Sequence, residues 1–183
     1  MTQEYVTTGL AVDTDLFRHV VGHLASGVTV LTTRVDERDH GMTASSVTSL
    51  SMDPPALLVC LNRKSSVTPV LLEHQAFCVN VLTASQSHIA EHFSGRDGSR
   101  GAARYRDASW QEMPSGALGA PSALALIDCK LEEVIERHSH TILIGHPLSI
   151  ATRDQTEPLL YWHGAYRLLS SIDRVLTQAT RSY

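Results

Sequence analysis

Apolar and polar positions follow two different periods along this chain, and each change of period marks an element. Phe17, Val20, Val21 and Leu24 recur at i, i+3, i+4 and i+7 behind Asp13-Thr14. That spacing predicts one amphipathic helix, capped near Asp13 and stopped near Gly27. The period then shortens. GVTVLTTRV (27–35), MTASSVTSLSM (42–52), ALLVCLN (56–62) and FCVNVL (77–82) read as strands, with DERDHG (36–41) as a turn. ALLVCLN is almost wholly apolar, as a strand covered on both faces is. The 42–52 strand is small and polar by comparison. Thr68-Pro69 opens a short helix with proline at its first position. Residues 85–93 form another, with Ile89, Ala90 and Phe93 on one face. Two long strands follow at 123–137 and 140–150, then a hairpin at 158–169 that turns at His163-Gly164. Residues 94–122, rich in Gly, Ser and Arg, read as one long surface loop.

Six or seven strands, three short helices and no βαβ alternation predict a mainly β protein, an antiparallel barrel with helical decorations. The expected organisation is a flexible N-terminal arm (1–12), a single domain (13–170) and a C-terminal tail (171–183). The tail carries weak helical periodicity at Ile172, Val175, Leu176 and Ala179. A chain of 183 residues buries roughly 70% of its unfolded surface and needs no metal or disulfide staple. The formal net charge of −4 argues against nucleic-acid binding by phosphate neutralisation. The apolar runs are too short for a membrane span, and the first residues lack the pattern of a secretory signal. Cys60, Cys78 and Cys129, odd in number and widely spaced, read as buried thiols of a reducing compartment, hence a cytoplasmic protein.

Candidate chemistry sits in four places. Gly41-Met42-Thr43-Ala44-Ser45-Ser46 puts small hydroxyl residues where a core strand prefers bulk. Such a stretch lets a flat ligand approach the backbone, or is a solvated edge strand. Cys60-Leu61-Asn62-Arg63-Lys64-Ser65-Ser66 lies at a strand exit before a helix, suited to a phosphate or to an ordinary helix cap. His88-Ile89-Ala90-Glu91-His92 matches a zinc-protease pattern in letters but lacks a third ligand, and a surface helix is the better reading. His19 and His23 are one helical turn apart, again without a third partner. Gly95, Gly98 and Gly101 lack the Lys-Ser/Thr of a phosphate loop. His138-Ser139-His140-Thr141 starts a long strand, where a histidine can meet a ligand or simply occupy a turn. No nucleophile elbow is evident, and no metal site is expected.

In their order and spacing these segments resemble the short-chain flavin reductase family, the small components of two-component flavin monooxygenases. The resemblance spans about residues 14–169. It rests on LFRHVVGHLASGVTVLTT, HGMTASSVTSLSMDPPALLVCLNRKSS, FCVNVL, IAEHFSG, GALGAPSALALIDCKLEEVIE, HTILIGHPLSI and PLLYWHGAYRLL. It implies a split, Greek-key β-barrel, a homodimer, FMN or FAD near the subunit interface, NADH or NADPH as co-substrate, and a separate oxygenase as partner. Carried over by position, Thr43, Ala44, Ser45 and Ser46 would line the flavin ring and ribityl chain. Cys60, Asn62, Ser65 and Ser66 would hold the ribityl–phosphate end, with Arg63 or Lys64 supplying charge. Thr32 and Thr33 would flank the ring, and Phe93 takes the family's aromatic position. His140 would be the catalytic residue, and His140 and Tyr166 would border the nicotinamide, whose C4 passes hydride to flavin N5. The family has Gly-Asp-His before Thr141, where this chain has His138-Ser139-His140. That change leaves open a flavin-retaining protein with another reaction, or a non-catalytic member of the fold.

Overall fold

The computed structural model of the protein describes residues 12–153 and 156–169. The C-terminal tail, and the N-terminal arm apart from Val12, lie outside the described residues. Helix α1 (Thr14–Val21) begins where Asp13 accepts the backbone N–H groups of Asp15 and Leu16 at 3.0 and 2.8 Å. Those are two of the donors that a first helical turn leaves open. The helix ends at Gly22 rather than near Gly27. Helices α2 (Val67–His74) and α3 (Ser87–Ser94) stand where the sequence predicts them. A short helical turn, with Thr83 and Gln86 capping each other, leads into α3.

The strands are β1 (Ser26–Gly27), β2 (Thr29–Val35), β3 (Arg38–Ala44), β4 (Val47–Met52), β5 (Pro55–Asn62), β6 (Ala76–Val81), β7 (Gln111–Glu112), β8 (Leu118–Gly119), β9 (Ala125–Arg137), β10 (His140–Thr152), β11 (Leu160–Trp162) and β12 (Ala165–Arg167). Seven of them form one antiparallel sheet in the order β3-β2-β6-β9-β10-β5-β4. Its outermost strands, β3 and β4, are consecutive in the chain and joined only by Ser45 and Ser46. A sheet whose two ends are tied by two residues has to curl until they meet. The fold is therefore a split barrel with helical additions.

Three expectations need correction. The 42–52 segment is two strands on opposite edges, broken at Ser45-Ser46. Small hydroxyl residues suit strand and turn alike, so the periodicity carried no mark of the break. The 36–41 turn shrinks to Asp36 and Glu37, both left-handed at φ 49° and 58°, and Arg38 already pairs with Val35. The 94–122 segment is no bare surface loop. It contains a helical turn (Gly101–Tyr105) and the β7–β8 hairpin, and it buries Met113, Ala117 and Ala120. Its Gly and Arg content hides these apolar positions.

The barrel interior holds Leu31, Val59, Leu61, Phe77, Val79 and Leu143, all fully buried. A Cβ at Gly145 would lie 2.5 Å from the Phe77 ring, so β10 crosses that ring only as glycine. Helix α3 covers a second cluster of Val28, Val30, Leu82, Ile89, Phe93 and Leu159. The β11–β12 hairpin holds the end of α1. His163 Nε2 lies 2.9 Å from His23 Nδ1, and the Trp162 indole donates to the His23 carbonyl at 3.1 Å. His163 is thus the third member of the His19–His23 group. Burial and the neighbouring His23 lower its pKa.

The three cysteines are unpaired thiols. Burial pushes Cys129 up to about 12, and Cys78 beside it higher still. No helix among the described residues is long and apolar enough to cross a membrane.

Candidate active site

Strand β3 carries the first group of site residues. The Thr43 hydroxyl donates to the Ala90 carbonyl of α3 at 2.6 Å, which ties the helix to the strand. Thr43 and exposed Ser45 line a cavity of about 200 Å³ with Val28, Ser94, Arg96, Tyr161 and Tyr166. The Arg96 guanidinium lies 5.5 and 5.8 Å from the centroids of the Tyr161 and Tyr166 rings and donates to the Tyr161 hydroxyl at 2.8 Å. That bond holds Arg96 firmly protonated, while burial raises the Tyr166 phenol. Alternation along the strand turns Ala44 into the barrel, where it is buried. Ser46 hydrogen-bonds the Cys60 carbonyl through its hydroxyl and accepts the Cys60 N–H at 3.0 Å. Cys60 and Ser46 therefore secure the seam between β4 and β5.

The 62–67 segment is a compact turn into α2. Asn62 Oδ1 accepts the Lys64 N–H at 2.9 Å, and Ser65 Oγ accepts the Val67 N–H at 3.2 Å. The Ser65 hydroxyl also reaches the Met42 sulfur at 3.3 Å, joining this turn to β3. Arg63 is drawn aside by an ion pair with Glu136 at 3.0 Å, and Lys64 projects outward. The cations that face Ser66 come from elsewhere. Arg100 and Arg104 line a cavity of about 120 Å³ with Ser66, Val67, His40 and Gly41. Arg104 donates to the Gly41 carbonyl at 2.7 Å and to the Ser99 carbonyl at 3.2 Å. The Asp39 carboxylate also lines this cavity and is paired with Arg34 at 2.7 Å, so a serine hydroxyl and two guanidinium groups are the remaining polar side chains suited to an anion. Sequence reasoning missed both arginines. The available signal was the repeated arginine in SGRDGSRGAARYR, set between glycines.

A latch holds that arginine-bearing segment. Buried His92 presents both ring nitrogens to carboxylates, Nδ1 to Asp97 at 2.5 Å and Nε2 to Asp107 at 3.0 Å. Arg106 pairs with Asp97 at 2.9 Å. The histidine that completed the zinc-like letters is thus the anchor of the 97–107 loop. Among the described residues no group of His, Cys, Asp or Glu has the arrangement of a metal site. The Ser99 hydroxyl and N–H, donating at 2.7 and 2.9 Å, hold Asp97 well below the usual carboxylate range, with His92 adding to the effect. A carboxyl depressed in the folded state is protonated first in the unfolded chain. Its stabilisation is complete above about pH 5 and fades as pH falls through the ordinary carboxylate range. Amide exchange of residues 97–107 is expected to accelerate on acidification below that point. In Asp97→Asn the loop exchanges fast already at neutral pH, with a shallower acid dependence.

His140 opens β10 directly opposite Asn62 of β5. Its Nδ1 lies 2.9 Å from the hydroxyl of Ser139. With Ser139 donating, the Nε2 of the neutral ring carries the proton. Ser139 stands where the family has an aspartate, within hydrogen-bond reach of the imidazole. His138 takes a left-handed φ of 49°, a conformation that glycine adopts freely. His138→Gly is accordingly expected to raise the unfolding free energy by about 1 kcal/mol, read as a shift in denaturation midpoint.

Three residues that the resemblance assigns to the flavin have buried side chains. Thr32 and Thr33 are buried in β2. The Thr32 hydroxyl bonds the Leu118 carbonyl, and that of Thr33 bonds the Ala76 carbonyl at 2.9 Å and His74 Nδ1 at 2.9 Å. Both hydroxyls are engaged by protein groups. Phe93 is 1% exposed and packs on Gly41, where a Cβ would lie 2.6 Å from the ring. Gly41 therefore makes room for Phe93 on one side while lining the Ser66 cavity. Tyr166 borders Thr43 and Ser45, whereas His140 lies opposite Asn62.

A split barrel with a hydroxyl-bearing strand end and an arginine cradle defines a class, and comparison with known proteins agrees. Residues 21–170 match the family described as the flavin reductase like domain. The reductase component of an FADH(2)-dependent resorcinol hydroxylase from Rhizobium sp. is 40% identical over 152 residues, which cover 82% of this chain and 84% of that protein. The FMN reductase (NADH) RutF of Klebsiella pneumoniae is 35% identical over 153 residues, 84% of this chain and 92% of that one. Among solved structures, the NADH:FAD oxidoreductase SgcE6 of Streptomyces globisporus superposes with a TM-score of 0.81 at 30% identity, covering 90% of this chain and 99% of that chain. This chain belongs to the flavin reductase-like family, whose named members here are nicotinamide:flavin oxidoreductases.

Proposed function

We propose that this protein reduces FMN or FAD with NADH or NADPH and releases the reduced flavin to a separate oxygenase. The observation that carries the reading is a pair of cavities spaced along one strand. One, at Gly41, offers Ser66 and two guanidinium groups to a phosphate. The other, at Thr43 and Ser45, offers hydroxyls and tyrosine rings to a flat heterocycle. These residues fit a flavin, which when bound supplies the two-electron acceptor for a hydride from nicotinamide C4. The chain's own residues bind and orient. Arg100, Arg104 and Ser66 fix the phosphate end, Asn62 and Ser65 shape the turn beside it, and Thr43, Ser45 and Tyr166 border the ring. His140, held by Ser139, borders the nicotinamide. No nucleophile is required for this chemistry.

The names of the relatives support the partner assignment, since one is the reductase component of a resorcinol hydroxylase. A homodimer accounts for the exposed apolar residues of α1 and the turn after it, where Phe17, Val20 and Leu24 are 58%, 54% and 69% exposed. Unpaired thiols fit a reducing, cytoplasmic setting. The reading is tested by mixing the purified protein anaerobically with each nicotinamide and each flavin and following the absorbance of both. Joint loss of reduced nicotinamide and oxidised flavin is expected. A nicotinamide that stays reduced with every flavin would sink the assignment.

A further inference from the structure

The segment that carries Arg100 and Arg104 has little core of its own. From Gly95 to Tyr105 only Ser99 is buried, and Gly95, Gly98 and Gly101 take left-handed φ of 71°, 83° and 53°. Such a stretch has many conformations to lose, and its shape comes from side-chain bonds. They form a circuit. His92 of α3, 8% exposed, meets Asp97 through Nδ1. Asp97 accepts the N–H and the hydroxyl of Ser99, and the Ser99 carbonyl accepts Arg104 Nε. Arg104 then donates from Nη1 to the Gly41 carbonyl of β3. Strand β3 returns to α3 through the Thr43 hydroxyl and the Ala90 carbonyl. The circuit thus closes on two fixed elements and sets the Arg104 guanidinium beside Ser66. His92 also meets Asp107 through Nε2 at 3.0 Å, so one imidazole holds both ends of the arginine-bearing segment. Arg106 adds a contact to Asp97 from the exposed side.

A guanidinium holds a phosphate best when it is already aimed. His92 itself is not part of the Ser66 cavity lining, so its effect on a ligand there runs through the loop. We propose that His92 is a positioning residue that, by holding Asp97, aims Arg104 and so sets the preference for a phosphorylated flavin over riboflavin. The inference rests on the flavin reductase reading. Riboflavin has the ring and ribityl chain of FMN and lacks the phosphate. A loosened loop therefore weakens FMN and leaves riboflavin alone.

The test measures binding without turnover. Flavin fluorescence, titrated with the purified protein in the absence of nicotinamide, gives Kd for FMN and for riboflavin. The parent should bind FMN more tightly by roughly tenfold or more, the range of a charge-assisted hydrogen bond. In His92→Gln the amide falls near the Nε2 position, so the bond to Asp107 is kept and that to Asp97 is lost. Most of the preference should vanish, through FMN alone. Asp97→Asn should act alike without altering α3. His92→Asn places its amide near Nδ1, keeps Asp97 in reach and should recover most of the preference. A parent that binds both flavins equally overturns the proposal. So does a His92→Gln protein that loses both flavins by one factor, or neither. A His92→Asn protein as indifferent as His92→Gln overturns the route through Asp97. Oxidation of NADH is scored separately. A parent that prefers FMN yet oxidises no nicotinamide overturns the functional reading and leaves the positioning role standing.

Discussion

Phe93→Ala is expected to lower the free energy of unfolding by about 3–5 kcal/mol. The ring is 1% exposed and lies 4.9 and 5.4 Å from the centroids of Tyr105 and Trp110. It also fills the space that Gly41 vacates on β3. Removing it opens a cavity between α3, the Gly101–Tyr105 turn and the barrel wall, which backbone hydrogen bonds hold in place. Phe93→Leu keeps most of the volume and should recover the larger part of the loss. Chemical denaturation reads both. A Phe93→Ala protein as stable as the parent, but with flavin affinity lost, would restore the ligand-contacting role that burial argues against.

The second large effect falls on binding. Arg104→Met is expected to raise KM for flavin on the order of ten- to a hundredfold, with kcat changed far less. That is the range lost with a charge-assisted contact to phosphate. Met keeps the stem and removes the charge. Arg104→Lys restores charge without the planar fork and should recover only part of the affinity. Steady-state kinetics with varied flavin separates the cases. A fall in kcat at unchanged KM would move Arg104 away from the phosphate and into turnover.

Much of this fold was legible in the order of strands and helices. The 3.6 period of α1 and the apolar run of β5 reported themselves as patterns, although α1 buries none of its residues within the described chain and β5 fully buries only Val59 and Leu61. The break at Ser45-Ser46 did not, since neither residue opposes strand or turn. Of the candidate site, Thr43, Ser45, Asn62, Ser65 and Ser66 stood out as small polar residues at strand ends, and the structure sets them beside two cavities or in the turn into α2. The burial of Thr32 and Thr33 was not legible, because a threonine hydroxyl reads alike whether it faces a ligand or a neighbouring carbonyl. Arg100 and Arg104 stayed hidden because the His92–Asp97 latch that aims their loop is a tertiary arrangement. His163 escaped for the same reason, meeting His23 only after the C-terminal hairpin docks.

The unpaired thiols bear on how long such a protein survives its own product. Reduced flavin that meets dioxygen yields peroxide, and peroxide attacks the thiolate form of cysteine. Cys78 and Cys129, sealed in the barrel wall beside Asp128, have ionisation pushed so far upward that almost no thiolate exists at neutral pH. The barrel thereby shields its own sulfur from the oxidant that leaking turnover would generate. Half-buried Cys60, on the seam next to Ser46, is the position where oxidative wear should first appear.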